Sequence, residues 1–110
     1  MRSHALTPNA LIAEMEPLSH GQRCRRLAAH ARDGGPELRV LLDELLARRD
    51  PYERLVGVRL AAVAREVAYV TRAMADPDPD ISRYAIGEAV RLGAPGDAIL
   101  EIARRLGDGH

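Results

Sequence analysis

The stretch 75–88, ADPDPDISRYAIGE, sets aspartates at three alternate positions, Asp76, Asp78 and Asp80, with Pro77 and Pro79 between them. Two readings compete for it. A helix-loop-helix calcium site needs the pattern D-x-[DN]-x-[DN]-G and a bidentate glutamate at position twelve. Counted from Asp76 the aspartates fit, but position six is Ile81 where the sharp bend requires glycine, position twelve is Gly87, and Glu88 falls one residue late. The prolines also stiffen a segment that would have to wrap around an ion. The other reading is a junction between helices. Asp78 as N-cap and Pro79 at the first helical position satisfy free backbone N–H groups and fix the starting φ. The stretch then marks a boundary and holds no metal.

The same pair, Asp50-Pro51, stands 28 positions earlier, and Thr7-Pro8 starts the first helix by an analogous cap. Leu11, Ile12 and Met15 follow as one apolar stripe that Pro17 ends. Ser19 caps a second helix in which Cys24, Leu27, Ala28 and Ala31 recur at i, i+3, i+4, i+7, which makes Cys24 a small core residue, and Gly34 and Gly35 close it. Pro36 opens a third helix, where Leu38, Leu41, Leu42, Leu45 and Leu46 form the strongest amphipathic pattern in the chain, running to near Arg49. After Asp50-Pro51, the residues Leu55, Val56, Val58, Leu60, Val63 and Val67 occupy more than one face, as in a helix held between neighbours. The segment AVAREVAYVTRAMA contains no Gly, Pro or good cap, so pattern alone allows one helix from Pro51 to Ala75. Beyond the aspartates, Ile81, Tyr84, Ala85, Ala89 and Leu92 form an apolar face ended by GAPG. Asp97 then caps a last helix carrying Ile99, Ile102, Ala103 and Leu106. No stretch alternates with a period of two, so the predicted fold class is all-α.

Composition narrows the function classes. The 110 residues carry 16 basic and 16 acidic side chains, so no net field favours nucleic acid or an anionic membrane. Tyr52, Tyr69 and Tyr84 are the only aromatic residues, too few for a base-stacking platform. Cys24 is the single cysteine, which excludes an internal disulfide and a thiolate-rich zinc site and points to a reducing, cytoplasmic compartment. The N-terminal run is interrupted by Asn9, Glu14 and Glu16, unlike a signal peptide, and no run approaches the length of a membrane span.

Periodicity decides the architecture. Asp50-Pro51 and Asp78-Pro79 each precede an apolar, alanine-rich helix, a break and a shorter helix, and residues 19–49 follow the same plan less regularly. The segment LLDELLARRDPYERLVGVRLAAVAREVAYVTRAMADPDPDISRYAIGEAVRLGAP resembles bacterial HEAT-like repeats, in particular the N-terminal part of uncharacterised actinobacterial HEAT-repeat proteins. The resemblance spans about residues 38–106. It implies an α-solenoid of about three helical hairpins, with pairs at about 19–49, 50–76 and 78–106, forming a domain over 18–110 behind a capping helix and leader at 1–17. Two departures stand out. The usual Val-Arg is here Ile81-Ser82-Arg83, one place late for an arginine–aspartate ladder, and the expected Gly-Asp turn inside the second pair is Arg65-Glu66.

Candidate functional residues are few. Asp50, Asp78 and Asp97 serve as structural helix caps. Arg23, Arg25, Arg26 and Arg32 with His20 and His30 make the most basic stretch, and the simpler reading of such a run is a solvated helix face. His20 and Cys24, four apart, lack a third ligand. In HEAT-like solenoids the second helix of each pair lines the concave surface, which places Arg48, Arg72 and Arg104 at matching helix ends as a binding ladder, although arginine suits any helix C-terminus. No nucleophile elbow, phosphate loop or metalloprotease pattern is present.

The leading expectation is a non-enzymatic scaffold that binds a protein partner, without cofactor, metal, membrane or nucleic acid. One alternative is an enzyme or enzyme accessory, because HEAT-like folds also occur in base-excision glycosylases and bilin lyases. Another is a structural cap for a longer repeat array. The face formed by Ile99, Ile102, Ala103 and Leu106 suggests self-association through the C-terminal helix.

Overall fold

Short polar side chains set where the helices begin. The computed structural model describes residues 6–33, 35–93 and 96. Among them lie six helices and no strand: α1 (Pro8–Met15), α2 (His20–Asp33), α3 (Gly35–Leu46), α4 (Pro51–Val63), α5 (Val67–Ala73) and α6 (Pro79–Arg91). Thr7 Oγ1 accepts from the Ala10 N–H at 3.1 Å at the start of α1. Ser19 and Gln22 exchange two hydrogen bonds, of 2.9 and 3.3 Å, forming a capping box ahead of α2. Asp50 accepts from the Tyr52 N–H at 2.9 Å, and Asp78 accepts from Asp80 and Ile81 at 2.9 and 3.3 Å. The opening aspartates are thus cap and junction residues. Asp97 and the helix expected after it lie outside the described residues.

The point left open by pattern, the end of α4, is closed by backbone geometry. The Arg65 N–H donates to the Ala62 carbonyl at 3.1 Å and the Glu66 N–H to the Ala61 carbonyl at 2.9 Å, the two bonds of a Schellman motif. Arg65 holds the left-handed position with φ +59°. Gly93, 28 residues on, holds the corresponding place after α6 with φ +79°. A non-glycine residue there costs about 1 kcal/mol, which explains why no local signal announced the break. α4 and α6 also match in length, 13 residues each, and in their Asp-Pro starts.

α4 is the central element. It packs against α2, α3, α5 and α6, while α5 also packs on α6 and α1 on α3. Its apolar residues on several faces follow from that position: Val56, Val58, Leu60, Ala61 and Ala62 are all buried. Leu42 and Leu45 of α3, Val70 and Met74 from the α5 region, and Ile81, Ala85 and Ala89 of α6 complete the core. Gly57 allows the tightest crossing, because a Cβ there would lie 2.8 Å from the Cβ of Leu45.

Three side chains tie successive helices end to end, each four residues after its N-cap. Arg23 donates to the Met15 and Glu16 carbonyls at 2.7 and 3.0 Å, closing the C-terminus of α1. Arg54 donates to the Arg48 and Arg49 carbonyls at 2.9 and 2.8 Å, just past α3. Ser82, only 1% exposed, donates to the Met74 carbonyl at 2.7 Å, just past α5. Arg54 does more than its counterparts. Its Nε and Nη2 also donate to the two oxygens of Asp76 at 2.8 and 3.2 Å, and Asp76 Oδ1 accepts from the Asp78 N–H at 2.8 Å.

Two expectations are corrected. The third helix starts at Gly35 and ends at Leu46, because the carbonyls near Arg49 are taken by Arg54 instead of a further turn. Cys24 is exposed and not a core residue. Of the α2 stripe only Leu27 is buried, since α2 packs through a narrow seam.

The Arg54–Asp76 pair is mostly shielded, with side chains 13% and 8% exposed, so loss of one partner leaves a charge without compensation. Arg54→Ala and Asp76→Asn are each expected to lower stability by about 3 kcal/mol in chemical denaturation, with Arg54→Lys intermediate for want of the planar fork. A double-mutant cycle should show strong coupling, and additive losses would contradict the clasp. Gly57→Ala should cost about 1–2 kcal/mol, the clash exceeding the gain in helix propensity. Gly87→Ala, in open space within α6, should raise stability by about 0.5–1 kcal/mol.

Candidate functional site

Packing leaves the outer faces of α3 and α5 side by side, because α3 buries its leucine stripe towards α4 while α5 buries its valine and alanine towards α4 and α6. Their exposed residues form a connected polar surface. Arg39 of α3 donates to Glu66, at the start of α5, at 3.2 Å. One turn further along α3, Asp43 accepts from Arg72 of α5 at 3.4 Å. Tyr69 lies in the seam, its hydroxyl donating to the Arg39 carbonyl at 3.4 Å and its ring carrying the Arg72 guanidinium 4.7 Å from the centroid. Burial first, then the Asp43 carboxylate, raises the Tyr69 pKa, so the phenol stays a neutral donor. Within this charged frame Val40 is 60% exposed.

The ion pairs of this surface are weakly held. Asp43 and Arg72 are 58% and 59% exposed and meet through a single long contact. Exposed pairs of this kind contribute at most about 1 kcal/mol, so a partner can redirect them at little cost. Beside the Arg39–Glu66 pair, a cleft of about 380 Å³ opens between the end of α2, the start of α3 and the turn after α4, with Ala31, Pro36, Leu38 and Ala64 in its wall.

The expected arginine ladder is only partly brought onto this face. Arg72 belongs to it. Arg48 donates to Asn9 of α1 at 2.7 Å and pairs with Glu53 of α4 at 3.6 Å, so it is committed to holding helices together. Arg104 lies outside the described residues. The basic run of α2 divides in the same way: Arg23 caps α1, Arg26 and His30 both bond Glu14 of α1, and Arg25 and Arg32 point outward without an ion pair among the described residues. Missed by sequence reading were Tyr69, Asp43 and Val40. The signal for Asp43 and Val40 was present, since both fall on the polar face opposite the leucine stripe of α3, whereas Tyr69 packs at the edge of the core, and nothing local shows that α3 and α5 share a surface.

Among the described residues no group of three or more His, Cys, Asp or Glu is placed to hold a metal ion, and no helix is long and apolar enough to cross a membrane. His20 Nε2 lies 3.7 Å from Cys24 Sγ, a thiol–imidazole contact with no third group. No family model matches the chain, and no curated protein or solved structure matches it.

The Glu14 cluster gives the structure a pH dependence. Burial pushes the Glu14 carboxyl up, but hydrogen bonds from His30 and Arg26, with their charges, outweigh it and hold the carboxyl below its ordinary 4.5. A carboxyl whose folded pKa is depressed adds stability that is complete above its unfolded pKa and vanishes as pH falls through the folded value. Thermal melts between neutral pH and pH 3 should therefore show Glu14→Gln losing less stability than the wild type below about pH 4.5. Parallel curves for the two proteins would remove Glu14 as the cause.

Proposed function

We propose that the chain is a non-enzymatic protein-interaction segment, built as an α-solenoid of stacked helical hairpins of the HEAT-like kind, and that it binds a protein partner across the α3–α5 face. The observation that carries this reading is the composition of that face. A tyrosine and two arginines whose guanidiniums are already oriented lie along the seam, with the exposed Val40 next to Arg39 on α3, and Tyr and Arg are the residue types that dominate binding energy at protein interfaces. The stacking of Arg72 on Tyr69 limits the conformational freedom lost on association.

Further support for the repeat reading is the 28-residue correspondence of α4 and α6, from their Asp-Pro starts to the left-handed residues Arg65 and Gly93 that follow them. The exposed Cys24, with no second cysteine in the chain, fits a reducing cytoplasmic setting.

Affinity capture from lysate with Val40→Glu and Tyr69→Ala variants tests the assignment. Both changes are at exposed or half-exposed positions and should leave helical content intact while weakening retention of the partner at least tenfold. Retention equal to wild type by both variants, with loss instead in an Arg25→Ala, Arg32→Ala double variant, would move the site to α2.

A further inference from the structure

The two ion pairs that cross the α3–α5 seam run in opposite senses. In the first the arginine, Arg39, is on α3 and the carboxylate, Glu66, at the start of α5; in the second the carboxylate, Asp43, is on α3 and the arginine, Arg72, on α5. Sign therefore alternates along each helix and also across the seam, a four-cornered checkerboard. Such a pattern has a definite symmetry property. A two-fold axis lying in the plane of the face, whether along the helices or across them, carries every positive corner onto a negative one. Val40 lies between the two rows on α3, where it would be covered by the opposing surface.

From this we infer that the α3–α5 face is an isologous contact surface whose partner is a second copy of this chain. The inference rests on the reading of that face as a protein-binding surface and specifies the partner. Charge complementarity selects this occupant. A uniformly acidic segment would meet Asp43 and Glu66, and a uniformly basic one would meet Arg39 and Arg72, whereas an identical checkerboard opposes neither. An isologous contact needs a self-complementary patch, and this face is one. In the dimer, Arg72 and Arg39 exchange one-sided intramolecular contacts for carboxylates of the facing copy, and Val40 leaves water.

The face is small. α3 has 12 residues. At about 1.5 Å per residue, with neighbouring helices about 10 Å apart, the contact covers a few hundred Å² per copy, below the roughly 800 Å² of a stable dimer. Association is thus weak and reversible, and weakens further with added salt because the pairs are exposed.

Sedimentation velocity of the full chain from about 10 µM to about 1 mM provides the test, together with charge rearrangement. Asp43→Arg with Glu66→Arg makes the face uniformly positive, and Arg39→Glu with Arg72→Glu makes it uniformly negative. Each double variant, checked as folded by circular dichroism, is expected to stay monomeric, and their mixture to form a one-to-one dimer. Val40→Glu alone, which leaves the corners untouched, is expected to shift Kd upward at least tenfold. A monomeric wild type across the whole range overturns the inference, as does self-association unaffected by Val40→Glu. If the wild type is monomeric while Val40→Glu still loses a captured heterologous protein, the second-copy assignment falls and the protein-binding reading of the face stands. If the dimer forms as described but Val40→Glu and Tyr69→Ala retain the captured protein, that reading falls for heterologous partners alone.

Discussion

The guanidinium of Arg54 is the point at which three separate parts of the chain meet. It occupies the Arg48 and Arg49 carbonyls in the segment after α3, and it grips both oxygens of Asp76 in the segment between α5 and α6. Asp76 in turn fixes the Asp78 N–H, and Asp78 caps α6. Planarity makes this possible, since a fork of fixed donors satisfies a carboxylate and two carbonyls at once where a lysine ammonium offers three mobile protons. Without such a donor, the largely shielded carboxylate of Asp76 would keep only the Asp78 N–H as a partner. That one side chain links the segment after α3, the start of α4 and the junction before α6.

Around this clasp the chain uses a single device with different chemistry at each level. The residue four after the N-cap is Arg23, Arg54 or Ser82, and each donates to the carbonyls that end the preceding helix. Ser82 is short and neutral, so it reaches one carbonyl and needs no carboxylate; Arg83, the next residue, turns to the surface and meets Asp80 and the Pro79 carbonyl of its own helix. Helix termini otherwise leave unsatisfied groups, so a donor at this position joins helix end to helix start, at the surface for Arg23 and within the core for Ser82. Gly57 contributes in another way, by letting the backbones of α3 and α4 approach more closely than any side chain would permit.

The α3–α5 face contrasts with these junctions. Its ion pairs are exposed and singly bonded, so they stabilise little and can be rearranged, whereas the Arg54–Asp76 pair is shielded and bidentate. The same residue types thus serve as fixed ties between helices in one place and as loosely held surface pairs in another. The sorting of Arg48 to the first group and Arg72 to the second follows from their neighbours, Asn9 and Glu53 for one and Tyr69 for the other.

Local chemistry in the sequence was enough to determine the all-helical class and the caps at Thr7, Ser19, Asp50 and Asp78, because capping and amphipathic period act over four residues or fewer. It also identified Asp76, Asp78 and Asp80 as junction residues. The break at Arg65 escaped it, since a Schellman end with arginine in the left-handed position has no local signature and persists only because α5 must fold back onto α4 and α6. Cys24 escaped as well, its helical stripe being wider than the seam that α2 offers to α4. Only the tertiary structure decided which arginines tie helices together and which are loosely paired surface groups. That depends on contacts between residues 22 to 39 positions apart, such as Arg54 with Asp76 and Arg48 with Asn9, which no local pattern encodes.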